Sequence, residues 1–164
     1  MNLGEILEIK RRYCMKKKEL KKLKEELDNI FGKEIISKKA NAEIAITDEY
    51  EMILIDNEPI AVKIEDKIYP TLKTLLNHNL DKNKVVVDMG AVKFLANGAD
   101  VMAPGIVDAD ENIKEGDVVF VVDETHQKPL SVGIALMDGK TMKEEKKGKA
   151  IKTIHYIGDE IWKF

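Results

Sequence analysis

One segment of twenty residues, Val87–Ile106, limits the fold more than any other part of the sequence. It contains two Gly-Ala pairs, Gly90–Ala91 and Gly98–Ala99, and its apolar end runs into Pro104–Gly105. The residues between the two pairs suffice for about two helical turns, and a glycine is a fitting end for such a helix. The segment therefore predicts a strand, a short helix and a second strand that breaks at a tight turn.

The glycines of this segment permit close approach. Gly90 and Gly98 lack a Cβ, so another backbone or a phosphate can come near them. A helix that begins at Gly90–Ala91 has unpaired N–H groups in its first turn, which suit a phosphate. Lys93, one turn further on, adds positive charge. We expect an anion-binding groove here, although the glycines also fit a purely structural role in shaping the turns of a barrel.

The rest of the second half consists of short apolar runs separated by turn residues. Lys84–Asp88 and Val118–Val122 read as strands, and Leu130–Met137 is the expected antiparallel neighbour of the latter. A charged segment, Asp138–Lys149, separates these from a last strand over Ala150–Ile157. Many short strands with one short helix near the start predict a small, nearly closed β-barrel.

The first half alternates helical and extended patterns. Apolar residues recur at steps of three and four from Lys18 to Phe31, which predicts a helix that ends at Gly32. The preceding stretch, Ile6–Met15, fits either an extension of that helix or a strand. A second helix is predicted over Lys67–Leu76, with Pro70 placed where helix starts tolerate it. Strands are predicted over Ala42–Thr47, Glu51–Asp56 and Ile60–Ile64.

The polar stretch Asn77–Asn83 is the best candidate for a linker in the chain. We therefore predict an α+β protein with two domains. A small N-terminal α+β domain covers residues 1–82, and a C-terminal pseudo-barrel covers residues 83–164.

Positive charge is concentrated in one place, although the net charge of the chain is −3. Nine lysines and arginines and one acidic residue fall between Lys10 and Lys24. Such a run is either a solvated helix face or a surface that meets phosphates. The candidate phosphate contacts are Lys10, Arg11, Arg12, Lys16 and Lys17.

Several classes of protein do not fit the sequence. No apolar run approaches the roughly 20 residues of a membrane span, and the first residues do not resemble a secretory signal. With Cys14 as its only cysteine, the chain fits a reducing cytoplasm.

The three histidines do not indicate a metal site. His78, His126 and His155 are far apart and lack partners at ligand spacing, so we expect no metal site. No phosphate-cradling loop, dinucleotide motif or catalytic constellation is present, so we expect neither a cofactor nor an enzyme.

The ordered set of Gly-Ala, Gly-Ala and Pro-Gly resembles the signature of PUA domains, small barrels that bind structured RNA. In that family the groove between the short helix and the adjoining strands takes RNA, often a 3′ end or a stem. The resemblance implies RNA-binding roles for Gly90, Ala91, Lys93, Phe94, Gly98, Ala99, Asp100, Met102, Pro104 and Gly105. From the residues themselves, Phe94 and Met102 are expected in the core rather than against bases, and Asp100 either accepts from a base edge or holds a turn.

A wider resemblance covers nearly the whole chain. Ile68–Leu72 in the first half and Lys147–Trp162 at the end are similar to the malignant-T-cell-amplified-sequence family, which includes the yeast translation-machinery-associated protein. Its members pair a small α+β domain with a C-terminal PUA domain, and this chain looks like an archaeal member. In eukaryotes they bind the small ribosomal subunit and act in tRNA release, recycling and reinitiation.

The resemblance implies a cytoplasmic, non-catalytic RNA-binding protein of the translation apparatus, without a membrane. Its expected partners are the small ribosomal subunit and an RNA, either a tRNA 3′ end or rRNA, and no protein partner is identified. A second hypothesis is an RNA-modification enzyme or its accessory subunit, since PUA domains are common appendages of such enzymes. A third is a scaffold that binds only protein.

Overall fold

The computed structural model describes residues 9–37 and 39–164. In the first half, five strands form one antiparallel sheet whose order follows the chain. These strands are β1 (Arg11–Cys14), β2 (Ala42–Ile46), β3 (Glu51–Ile55), β4 (Glu58–Ile64) and β5 (Lys67–Pro70). The stretch before the first helix fitted either an extension of that helix or a strand. Arg11–Cys14 form a strand, which pairs with β2. Residues 6–8 of that stretch lie outside the described residues.

The predicted amphipathic helix is confirmed as α1 (Lys17–Phe31). The carboxylate of Glu19 accepts a hydrogen bond from the Lys16 N–H at 3.2 Å, which satisfies one donor at the start of the helix. At the other end Gly32 takes a φ of +72° and closes the last turn. The buried residues are Leu23, Leu27 and Phe31, as the spacing predicts.

The helix predicted over Lys67–Leu76 is wrong in its first half. Lys67–Pro70 is strand β5, and α2 (Leu72–Asn77) begins only after Thr71, whose hydroxyl accepts from the Thr74 N–H at 3.3 Å. The reason is a two-residue hairpin between β4 and β5. Glu65 and Asp66 both have positive φ angles, the conformation that matches the twist of two paired strands. Neither residue is a glycine or an asparagine, so the residue types did not indicate this turn.

The second half forms a six-stranded curled sheet in the order β7-β11-β10-β9-β6-β8, and the predicted α+β fold with a C-terminal pseudo-barrel is confirmed. Its strands are β6 (Lys84–Val87), β7 (Val101–Met102), β8 (Ile106–Ala109), β9 (Val118–Asp123), β10 (Pro129–Ala135) and β11 (Lys149–Tyr156). The short helix is α3 (Met89–Leu95), and Ala103–Gly105 forms a 3₁₀ turn. Strand β6 runs parallel to β9, and the other pairs are antiparallel.

A further helix, α4 (Gly139–Glu144), lies inside the charged segment for which no element was predicted. Asp138 caps it by accepting from the Thr141 N–H at 2.7 Å. Its single fully buried apolar side chain is Met142. One apolar residue in six gives no helical period, so the sequence pattern could not reveal the helix.

The apolar core is continuous between the two sheets. One cluster of buried residues contains Leu27 and Met52 from the first half together with Phe120 and Val132 from the second. The polar connection between the halves is itself packed: Leu80 is buried, and the side-chain amide of the buried Asn83 donates to the Val118 carbonyl oxygen at 3.0 Å. The boundary predicted between residues 82 and 83 therefore stays a prediction, and the connection is a packed one.

Gly98 offers a direct test of the packing in the second half. It has a φ of +84°, and a Cβ there would lie 2.7 Å from the ring of Tyr156. We expect Gly98→Ala to lower the free energy of unfolding by about 3 kcal/mol, since the strain of a left-handed alanine adds to the overlap with the ring. Gly116→Ala is the matched control because Gly116 has a φ of +93° with open space around it, and about 1 kcal/mol is expected. Urea unfolding of both variants measures the difference, and equal losses would contradict the role of Tyr156.

Candidate nucleic-acid interface

A groove of about 490 Å³ lies between α3, strand β7 and the 3₁₀ turn. Eight of the ten residues assigned to RNA binding line it, and the two that do not are Lys93 and Gly98. The full lining is Asp88, Gly90, Ala91, Phe94, Leu95, Ala99, Asp100, Val101, Met102, Pro104 and Gly105. Apart from Gly98, the ordered Gly-Ala and Pro-Gly set is therefore brought together around one cavity, although its residues are up to fifteen positions apart in the chain.

Two contacts hold the walls of the groove together. The Asp88 N–H donates to the Gly105 carbonyl oxygen at 2.9 Å, which ties the start of α3 to the Pro-Gly turn. A Cβ at Gly105 would lie 3.4 Å from the Ala91 Cβ, so both small residues allow this approach. The second Gly-Ala pair acts differently, because the Tyr156 ring packs against Gly98 from outside the groove. Gly98 is thus a packing position, and the space that its missing Cβ leaves is taken by protein.

The expectation that a helix start at Gly90–Ala91 offers free N–H groups to a phosphate is wrong. The helix begins at Met89, one residue after its cap Asp88. The Asp88 carboxylate accepts from the Ala91 N–H at 2.9 Å. A carboxylate already occupies the place that a phosphate would take, and its charge opposes an anion there.

The expectation that Phe94 and Met102 belong to the core is also wrong. Phe94 is 64% exposed and Met102 is 49% exposed. In the seven-residue helix the fully buried side chain is the neighbouring Leu95. A short helix on the surface of a barrel buries only one narrow stripe, and Phe94 falls beside it. The groove therefore presents an exposed aromatic ring and a thioether where the sequence suggested buried ones.

Asp100 does not hold a local turn: it joins the start of β7 to strand β11. Its carboxylate accepts from the Thr153 N–H at 2.8 Å and pairs with the Lys149 ammonium at 2.9 Å. The hydrogen bond from Lys149 lowers the pKa of Asp100 below its ordinary value; partial burial opposes this, and the Thr153 N–H adds to it. Asp100 thus fixes strand β11 beside β7, at the edge of the groove.

This arrangement predicts a pH-dependent stability difference. Because the folded-state pKa is lowered, the stabilisation by Asp100 is present above the unfolded pKa of about 3.9 and is lost as the pH falls through the folded value. We expect Asp100→Asn to lower the free energy of unfolding by less than about 1 kcal/mol at pH 7, since the pair is half exposed. The difference from the parent protein should shrink as the pH falls below 4. Urea titrations at several pH values measure it, and a constant difference would contradict the assignment.

The positive charge beside the groove comes from residues that the sequence analysis did not select. Lys149 is paired in register with Met102, and the Lys146 ammonium donates to the Ile106 carbonyl oxygen at 2.6 Å. The Ala103 N–H donates to the Gly148 carbonyl oxygen at 2.8 Å, so segment 146–149 runs along the 3₁₀ turn. Three lysines in four residues, with the exposed Lys147 among them, were the signal in the sequence. We call Lys146, Lys147 and Lys149 the lysine rim.

Comparison with known proteins places these features in a family. Residues 83–157 match the PUA domain model, and residues 11–78 match a domain of unknown function, DUF1947. The chain is 67% identical to the uncharacterized protein MJ1432 of Methanocaldococcus jannaschii over 96% of its own length and 99% of that protein. It is 34% identical to translation machinery-associated protein 20 of Schizosaccharomyces pombe over 79% of its own length and 75% of that protein.

The chain belongs to the translation machinery-associated protein 20 family. The resemblance to the malignant-T-cell-amplified-sequence family, which includes that protein, is thereby confirmed. A solved structure agrees: the hypothetical protein PH0734.1 of Pyrococcus horikoshii superposes with a TM-score of 0.87 at 45% identity, covering 93% of this chain and 98% of that one.

In this member of the translation machinery-associated protein 20 family, the side chains predicted to contact phosphates in the N-terminal half differ in the partners that they already have within the protein. Arg12 forms two hydrogen bonds with the Glu43 carboxylate, at 2.8 and 3.1 Å, and a third with Asn57. The guanidinium of Arg11 lies over the Tyr13 ring at 5.1 Å. Lys10 lies 3.8 Å from an Asp48 oxygen. Lys16 and Lys17 are exposed at the start of α1.

The histidines of this family member are not assembled into a metal site. His155 is fully buried and hydrogen-bonded on both ring nitrogens, whereas His126 is exposed on a loop. Among residues 9–37 and 39–164, no group of three or more histidine, cysteine or acidic side chains is arranged to hold a metal ion. Within the same residues, no helix is long and apolar enough to cross a membrane.

Proposed function

We propose that this protein is a non-catalytic RNA-binding protein of the cytoplasmic translation apparatus, which binds the small ribosomal subunit and either a tRNA 3′ end or rRNA. The observation that carries the proposal is the exposed pair Phe94 and Met102 in an apolar groove beside the lysine rim. An exposed aromatic ring next to cations is the combination that binds unpaired bases together with their phosphates. The relatives named as translation machinery-associated proteins support the link to translation.

The proposed division of roles follows from the charges. The groove holds the carboxylates of Asp88 and Asp100, so its interior suits a base better than a phosphate. A base stacks on Phe94 and contacts Met102 and Pro104, while the lysine rim receives the flanking phosphates. Each phosphate that is neutralised in this way makes binding more sensitive to salt.

The N-terminal domain supplies the second part of the proposed interface. Lys16 and Lys17 on α1 belong to the run of nine basic residues. An RNA assembly as large as a ribosomal subunit is able to meet this surface and the groove at the same time. Two weak contacts on one rigid chain then give an affinity higher than either alone.

Co-sedimentation with small ribosomal subunits tests the ribosomal part of the proposal. We expect the protein to sediment with subunits at low salt and to be released as the salt concentration rises. Absence of association at low salt would overturn it. A companion experiment compares intact tRNA with tRNA trimmed at its 3′ end, and equal binding of the two would argue for rRNA as the partner of the groove.

A further inference from the structure

A second cavity, of about 520 Å³, lies away from the groove at the junction of the two sheets. We call it the junction cleft. Its walls come from the end of α2 and the connection that follows, from strands β6 and β9, and from the loop before β10. The lining residues are Leu75, Leu76, Asn77, His78, Asn79, Leu80, Lys84, Phe120, Val122, His126, Gln127, Lys128 and Pro129. It shares no residue with the groove at α3.

Sheet register builds the floor of the junction cleft. Lys84 lies beside Phe120 in the parallel pair of β6 and β9, and Pro129 lies beside Val122 in the next pair. Phe120 and Val122 belong to the core cluster that joins the two halves of the protein. Since both side chains are buried, the apolar floor that is open to the cleft is formed by the exposed Leu76 and the half-buried Pro129, on which a planar ring can pack.

The polar part of the lining consists of groups that can donate hydrogen bonds, and no carboxylate is among the lining residues. Lys84 and Lys128 carry positive charge, and His78, His126 and Gln127 add ring and amide N–H groups. Lys84 also lies 3.2 Å from an Asp81 oxygen, but that carboxylate is 84% exposed, so the pair is weak. A cleft with cations and neutral donors above an apolar floor fits an anion that carries a ring.

The loop that contributes three of these residues is held in place by Asp123. The carboxylate of this buried residue accepts from the His126 and Lys128 N–H groups, the latter at 3.3 Å. Burial alone would raise the pKa of Asp123, but the N–H groups of His126, Lys128 and Thr125 together lower it. The carboxylate is thus ionised and satisfied by the backbone, and the side chains of the loop are left to face the cleft.

We propose that the junction cleft is a second nucleotide-binding site, which takes a phosphate of single-stranded RNA at Lys84 and Lys128 and the adjoining base on the apolar floor. The cavity volume suits one nucleotide, since small-ligand sites typically enclose roughly 300–1,000 Å³. The inference rests on the proposed RNA-binding function and adds a site to it. With one site at the groove and another at the junction, the RNA follows both domains.

Salt-dependent binding of fluorescently labelled ten-uridine RNA tests the proposal, with Lys84→Gln/Lys128→Gln as the variant. The matched control is Lys63→Gln/Lys114→Gln, which removes one half-buried and one exposed lysine outside the cleft, the same burial classes as Lys84 and Lys128. We expect the slope of log affinity against log salt to fall by about 0.7 in the cleft variant, since the loss of one phosphate contact on a single strand changes it by about that amount. The control variant should keep the slope of the parent protein.

The second measurement is NMR of the side-chain amides of Asn79 and Gln127 with adenosine monophosphate or adenosine added. Shifts with the monophosphate that adenosine does not cause would support the site. Shifts with the monophosphate but an unchanged RNA slope would mean a site for free nucleotides, which overturns the RNA assignment.

If the cleft variant binds RNA like the parent while Phe94→Ala weakens it, only this inference fails; if the parent binds no RNA, the proposed function fails.

Discussion

Phe94→Ala is expected to weaken the binding of single-stranded RNA by about five- to 150-fold. The ring is 64% exposed at the mouth of the groove, and stacking of a base on an aromatic side chain contributes about 1–3 kcal/mol. Alanine removes the stacking surface and leaves the lysine rim unchanged. The affinity should therefore fall while its salt dependence stays the same, because the phosphate contacts remain. Fluorescence anisotropy of a labelled oligonucleotide at several salt concentrations measures both quantities.

Two controls separate recognition from folding. Phe94→Tyr keeps an aromatic ring and should bind like the parent protein. Leu136→Ala removes an exposed apolar side chain, 39% accessible, that lies outside the groove, and it should leave RNA binding unchanged. Phe94→Ala itself should unfold at nearly the same urea concentration as the parent, since an exposed ring contributes little to the core. Unchanged RNA affinity in Phe94→Ala would remove the main support for the groove as the binding site.

His155→Ala should have the largest effect on stability, a loss of about 4 kcal/mol in the free energy of unfolding. His155 is fully buried on β11, and its Nε2 accepts from the Leu72 N–H at 3.0 Å. Since that nitrogen accepts, the proton of a neutral ring is on Nδ1, which donates to the Asp159 carboxylate at 2.9 Å. Leu72 is the first residue of α2, so the histidine satisfies a helix donor from the other half of the chain.

Removal of the imidazole leaves a cavity, an unpaired N–H at Leu72 and a carboxylate with fewer partners. His126→Ala is the matched control, because His126 is exposed and its loss should change stability by less than about 0.5 kcal/mol. Urea unfolding measures the free energy of unfolding of each variant, and hydrogen exchange of the Leu72 amide reports the local effect at the start of α2. We expect faster exchange at Leu72 in His155→Ala, and similar losses in the two variants would contradict the role of His155.

The resemblance carried by the Gly-Ala and Pro-Gly pattern was enough to predict the PUA domain, and the many short strands separated by turn residues were enough to predict a barrel. The periodicity of Lys18–Phe31 was likewise sufficient to predict α1, since the spacing of apolar residues alone shows which face of an amphipathic helix is buried. The hairpin at Glu65 and Asp66 was missed because it lacks the usual turn residues, and pairing with β4 then decided that Lys67–Pro70 is a strand.

By itself the sequence predicted the short helix α3 and most strands of the barrel, although not α4, and through the family resemblance it identified most of the residues that line the groove. Only the tertiary structure decided what those residues do there. Whether Phe94 or Leu95 is buried depends on the rotation of the seven-residue helix about its own axis relative to the sheet. The residue types do not determine that rotation. The lysine rim and the pair of His155 with Leu72 join segments far apart in the chain, and such contacts exist only once the strands have paired.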